Sequence, residues 1–83
     1  MKISKEIEVT LPNEVVTEYN AHVGCKVMRG PDWGYNDYDG GAGSIGIIHS
    51  VLIGGWVLVQ WSNNKHATYR IGYRDKYDLI FTR

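Results

Sequence analysis

Two arginines and three aspartates are the side chains in this chain best suited to specific polar chemistry: Arg29 and Arg70, with Asp32, Asp39 and Asp78. A guanidinium presents a planar fork of N–H donors that fits a carboxylate or phosphate in bidentate fashion. Such a fork can grip an anionic group on a ligand. It can equally tie an irregular loop to its scaffold, because loop backbone groups need side-chain partners when no ladder supplies them. Polar ties of that kind are ordinary in loop-rich domains. We therefore read these five residues as a structural network.

Other patterns suggest chemistry but lack the context for it. Gly40, Gly41, Gly43 and Gly46 form a D-G-G-x-G-x-x-G run after Asp39. A phosphate-cradling loop needs a strand before it and a helix after it, and neither is expected here. Turn formation with positive φ is the better reading. Cys25, His22, His49 and His66 are too few and too irregularly spaced for a zinc motif. Asp32, Asp37 and Asp39 lack the spacing and terminal Glu of a calcium loop. Cys25 in a strand reads as a small buried hydrophobe. No acid–base pair or activated nucleophile emerges, so enzymatic activity, cofactor and metal are not expected.

Aromatic side chains offer a different function. The stretch from Arg29 to Gly43 holds one Trp, two Tyr, three Asp, five Gly and a Pro. Gly, Pro, Asp and Asn interrupt any regular element there. Yet Trp33, Tyr35 and Tyr38 are large rings that a solvated linker would not need. With Tyr69 and Tyr73 they could form a groove for an extended peptide, since rings give contact area at low entropic cost. The alternative is that some rings cover a thin core, and for Trp33 that is the reading we take.

These residues need a scaffold, and the pattern predicts one made of strands. Val23–Met28 puts Val23, Cys25 and Val27 on one side, Ser44–Leu52 with Ile45, Ile47, Ile48, Val51 and Leu52 reads as a second strand, and Trp56–Trp61 is the strongest strand in the sequence. Gly54-Gly55 and Ser62–Lys65 read as hairpin turns, with Asn suited to positive φ. His66–Ile71 reads as a fourth strand, Gly72–Lys76 as a turn that could be 3-10, and Tyr77–Thr82 as a fifth strand. Trp56 and Trp61 lie five apart on one strand and so face opposite sides. Trp61, in step with Val57 and Val59, is placed in the core. The fold class is all-β: a small SH3-like five-stranded barrel over residues 22–83, with residues 1–21 as an N-terminal extension. Closing the sheet would remove most of its exposed edge. In the extension, Ile7-Glu8-Val9-Thr10-Leu11 alternates like a half-buried strand. Pro12–Asn20 reads as a short helix in preference to a second extended segment.

Bulk composition sets limits. At 83 residues the chain is expected to form one domain. Nine basic residues balance nine acidic ones, which disfavours a partner recognised by phosphate neutralisation, so no nucleic acid is expected. A single cysteine allows no internal disulfide. No apolar run approaches the roughly 20 residues of a membrane span, and Met1–Lys5 lacks a signal-peptide core. Cytoplasmic or nuclear residence is the expectation, with a protein or peptide as partner.

Taken in order, the motifs resemble the MIB/HERC domain of Mind bomb and HERC ubiquitin ligases. The chain gives Val27-Met28-Arg29-Gly30-Pro31-Asp32-Trp33, then Asp39-Gly40-Gly41-Ala42-Gly43 and Gly46. Val59-Gln60-Trp61, Tyr69-Arg70-Ile71-Gly72 and Asp78-Leu79 follow. The resemblance covers about two-thirds of the chain, residues 23–80. It departs at Tyr35, where the family usually has a second Trp, at Asn36 and Tyr38 before Asp-Gly-Gly, at Ser62-Asn63-Asn64, and at Asp75. The resemblance implies an SH3-like barrel and a non-catalytic docking role in ligase assemblies. In Mind bomb proteins it implies capture of short cytoplasmic segments of Notch ligands. A structural or adaptor subunit of a larger complex is the alternative function.

Overall fold

The structure is a computed structural model, and it describes residues 13–82. The alternating stretch Ile7–Leu11 lies outside the described residues. Five strands form: β1 (Lys26–Arg29), β2 (Gly46–Leu52), β3 (Trp56–Trp61), β4 (His66–Arg70) and β5 (Leu79–Phe81). They join in one antiparallel sheet in the order β4-β3-β2-β1-β5. A 3-10 turn, Tyr73–Asp75, precedes β5. The all-β, five-stranded expectation is met. The ladder does not continue from β5 to β4. Those edges approach through the Ile71–Tyr77 bridge and the Asp78 N–H donated to the Arg70 carbonyl at 2.9 Å.

The period-2 pattern on β3 decides which face is buried. Val57, Val59 and Trp61 point inward and are sealed from solvent, while Trp56 is half-buried. Ile48, Val27, Tyr69, Ile71, Leu79 and Phe81 complete the inner layer. At Gly46 in β2, a Cβ would lie 2.6 Å from Val59 Cγ1 and 2.7 Å from Trp61 Cε3. This glycine is therefore required by close packing, and not by the positive φ expected of it. An irregularity between Ile48 and Ser50 shifts the β2–β3 register around His49.

Two local expectations change. β1 begins at Lys26, not at Val23, because residues 23 and 24 turn and Gly24 adopts φ 94°. Val23 is consequently exposed. The helix expected over Pro12–Asn20 is absent from the described part of that stretch. Instead the Asn13 N–H donates to the Phe81 carbonyl at 2.9 Å and the Val16 N–H to the Leu79 carbonyl at 3.0 Å. The Phe81 N–H returns a bond to the Glu14 carbonyl. Val15 bridges Ile80 and Val16 is fully buried. Two consecutive β-branched residues favour the extended backbone, and pairing with β5 rewards it. A single turn at 18–20 follows, held by the Thr17 N–H donating to Asn20 Oδ1 at 2.7 Å.

Candidate functional site

The long connection between β1 and β2 is held at both ends by buried carboxylates. Asp39 is fully buried. It accepts Arg29 Nε at 3.0 Å and Arg29 Nη2 at 2.6 Å, a bidentate pair, and also the Gly41 N–H at 3.0 Å. Burial alone would push the Asp39 carboxyl up. The Arg29 fork and the Gly41 N–H outweigh it and hold the group below the usual carboxylate range. The bond to Asp39 in turn raises Arg29 above its ordinary value. Arg29 also donates to the Asn36 carbonyl at 3.2 Å, tying down the middle of the loop.

Asp78, just before β5, is the second anchor and is also fully buried. Its Oδ2 accepts the Arg70 N–H at 2.8 Å, Arg70 Nε at 3.0 Å and the Tyr35 hydroxyl at 2.9 Å. Its Oδ1 accepts Arg70 Nη2 at 2.8 Å. Asp32 joins the network through backbone rather than through an arginine carboxylate pair. Its Oδ2 accepts the Tyr77 N–H at 2.7 Å, and its carbonyl receives Arg70 Nη2 at 3.4 Å. The structure thus brings Arg29, Asp32, Asp39, Arg70 and Asp78 into two anchors that fix one loop.

The rings sort themselves by depth. Trp33 caps the core: it stacks on Tyr69 with centroids 5.1 Å apart and meets Trp61 edge-on at 5.6 Å. Its Nε1 donates to the Asn36 carbonyl at 2.8 Å. Tyr69 is only 1% exposed, and its hydroxyl accepts Trp61 Nε1 at 2.9 Å. Burial raises the Tyr69 phenol, although the Trp61 bond opposes the shift. Tyr35 is half-buried; burial and its bond to Asp78 raise its phenol as well. Tyr38 is the most exposed loop ring, donates its hydroxyl to the His66 carbonyl at 3.2 Å and lies beneath Lys65 Nζ at 5.1 Å.

Tyr35, Asn36 and Tyr38 on the loop face Ala67, Thr68 and Tyr69 on β4 across a groove of about 310 Å³. Three of the five rings read as partner-binding therefore line one concavity. Trp33 lies behind it. Tyr73 is elsewhere, packed on Trp56 with centroids 4.9 Å apart.

A larger groove, about 620 Å³, was not foreseen. It is lined by Val23, Ile45, Ile47, His49, Gln60 and neighbouring residues, mostly from β2 and β3. Ile45 and Ile47 are each about two-fifths exposed. The signal was present: consecutive Ile47 and Ile48 in a strand must face opposite sides, so one had to be outside. Among the described residues, no group of three or more His, Cys, Asp or Glu is placed to hold a metal ion. None of the helices there is long and apolar enough to cross a membrane.

Comparison with known proteins agrees with the arrangement of these motifs. The Mib_herc2 family model matches residues 24–83. The chain is 44% identical over 54 residues, 65% of its length, to the E3 ubiquitin-protein ligase hecd-1 of Caenorhabditis elegans. It is 41% identical over 58 residues, 69% of its length, to the E3 ubiquitin-protein ligase HERC2 of Homo sapiens. It is 42% identical over 57 residues, again 69% of its length, to the E3 ubiquitin-protein ligase mind-bomb of Drosophila melanogaster. The matched region spans 2%, 1% and 4% of those relatives, respectively.

Proposed function

Since this chain belongs to the Mib_herc2 family, we propose that it is a non-catalytic protein-interaction module of the ubiquitin-ligase kind, which takes a peptide or protein partner through its aromatic β1–β2 loop. One observation carries this reading: Tyr35 and Tyr38 stand over β4 across an open groove of about 310 Å³, on a loop fixed by two buried carboxylate anchors. A pre-ordered loop loses little entropy when it binds, and half-exposed tyrosines supply area with polar tips. Tyr35, Tyr38 and Tyr69 are the contact residues in this reading. Trp33 acts by holding Tyr69 and Tyr35 in place, and Tyr73 contributes to a separate ring pair. The balance of charge favours a protein partner over a polyanion.

The test is a peptide array probed with the wild-type chain and with Tyr38→Ala. Tyr38 touches β4 through one hydroxyl, so its loss should leave the fold intact. The expected result is retention of peptides by the wild type and their loss with Tyr38→Ala. Equal binding by both chains would refute the loop as the contact surface.

The groove beside Ile45 and Ile47 favours a second reading, a structural or adaptor subunit buried against a neighbour in a larger complex. Ile47→Asp separates the two. It should abolish complex formation in the second case and leave peptide retention unchanged in the first.

A further inference from the structure

The groove under Tyr35 and Tyr38 lies along the free edge of β4, and the main-chain pattern there shows how a partner would enter. Among the described residues β4 is an edge strand, paired on one side only, with β3. In an antiparallel pair, hydrogen-bonded and non-hydrogen-bonded residues alternate. The Trp61 N–H donates to the Lys65 carbonyl, and the Ile71 N–H donates to the Gly55 carbonyl. By that alternation Ala67 and Tyr69 spend their main-chain groups on Val59 and Val57. His66, Thr68 and Arg70 then turn theirs outward, to the free edge.

Arg70 is met within the chain at both groups, and His66 at its carbonyl alone. The His66 carbonyl takes the Tyr38 hydroxyl. The Arg70 N–H goes to Asp78 Oδ2 and the Arg70 carbonyl takes the Asp78 N–H. Thr68, exposed between them, keeps both its N–H and its C=O directed into the groove. Thr68 thus offers one donor and one acceptor in strand geometry, beside the open His66 N–H, and is a template for one reciprocal pair with another strand.

We propose that the partner binds as a short extended segment added antiparallel to β4, with one residue exchanging both main-chain hydrogen bonds with Thr68. The proposal rests on the loop reading above and deepens it by specifying the ligand's form. Side chains alternate along a strand. The residue paired with Thr68 points outward with the Thr68 side chain. Its two neighbours point the other way, alongside Ala67 and Tyr69, into the space beneath Tyr35 and Tyr38. The preferred sequence is therefore apolar, any residue, apolar. Tyr38 on the His66 carbonyl and Asp78 on both Arg70 groups limit the edge at either end, so the paired window is brief and most selectivity falls on the two apolar positions.

The experiment uses the full chain and a phage-displayed library of short peptides with apolar residues at alternate positions. Selected peptides are resynthesised with single backbone N-methyl groups, and amide hydrogen exchange is followed in the free and bound chain. In the free chain, Thr68 N–H should exchange fast while Ala67 and Tyr69 are protected. Peptide should slow Thr68. N-methylation at the one residue between the apolar positions should weaken binding about tenfold or more, as loss of a main-chain bond implies. Thr68→Pro, which removes a donor β3 does not use, should do the same. Selected peptides that require Tyr38 but tolerate every N-methyl group, or leave Thr68 exchange unchanged, would overturn strand addition and spare the loop reading. Selection of no peptide, or of peptides that protect β2 near Ile47 instead, would overturn both. Protection of Thr68 in the free chain would overturn the inference at once.

Discussion

Replacing Asp78 by Ala should be the most damaging single polar change in the domain. The carboxylate is fully buried and accepts four hydrogen bonds, three from Arg70 and one from Tyr35. Its removal leaves the Arg70 N–H without its acceptor, the Tyr35 hydroxyl unpaired and a guanidinium without its counter-charge. Breaking a buried ion pair typically costs roughly 3–5 kcal/mol. The Arg70 side chain retains 25% of its exposure, so water can resolvate part of it, which places the loss near the lower end, about 3 kcal/mol. A domain of this size is stable by roughly 4–12 kcal/mol, so the variant should fold but weakly. The melting midpoint should fall by roughly 12–24 °C, given about 4–8 °C per kcal/mol for a small domain. Urea unfolding with circular dichroism provides the free energy, and a cycle with Tyr35→Phe provides the coupling. Tyr35→Phe should cost about 1 kcal/mol in the wild type and close to nothing once Asp78 is gone. A loss under about 1 kcal/mol for Asp78→Ala would show that the anchor behaves like a surface pair and refute the reasoning.

Acid should weaken the other anchor. Asp39 sits below its ordinary value of 3.8 in the folded chain, so the unfolded chain binds the proton more readily. That contribution is intact above the unfolded value and is lost as pH falls through the folded one. Unfolding free energy should therefore drop below about pH 4, and Asp39→Asn should flatten that part of the profile. At the alkaline end, Tyr35 and Tyr69 are raised, so the neutral phenols stabilise the fold until pH climbs through their folded values. Ultraviolet titration should show a late-ionising fraction that shrinks in Tyr35→Phe. Gly46→Ala should destabilise by about 1–3 kcal/mol in thermal melts, because the added methyl meets Val59 and Trp61 inside the core.

Much of the scaffold could be read from side-chain alternation. Val57, Val59 and Trp61 announce the buried face of β3, and the two hairpin turns fall where Gly54-Gly55 and Asn63-Asn64 stand. Arginine–aspartate pairing was legible as chemistry, since an irregular loop must find side-chain partners. Which aspartate met which arginine was not, because Asp32 is spent on the Tyr77 N–H while Asp78 reaches back to Arg70. Residues 13–16 misled because an early Glu and an apolar face suit a helix, yet β5 offered an unoccupied edge that only the assembled sheet reveals. Tyr73 was grouped with the loop rings on type alone. Position along the chain does not say that the 3-10 turn delivers it to Trp56. The Ile45–Ile47 surface is hard to read for a similar reason: apolar content marks a strand without saying which side each residue faces.

The bond from the Tyr35 hydroxyl to Asp78 spans 43 residues of chain. During synthesis the tyrosine emerges long before its acceptor, with the β2–β3 and β3–β4 hairpins between them. Contacts so far apart in sequence are made late, because loop closure must precede their reward. The loop would thus be fully fixed only once the segment carrying Asp78 is in place. A chain cut ahead of Asp78 could keep β2 and β3 paired and still hold the β1–β2 loop by the Asp39 anchor alone, which makes β5 a natural checkpoint between a nascent domain and a finished one.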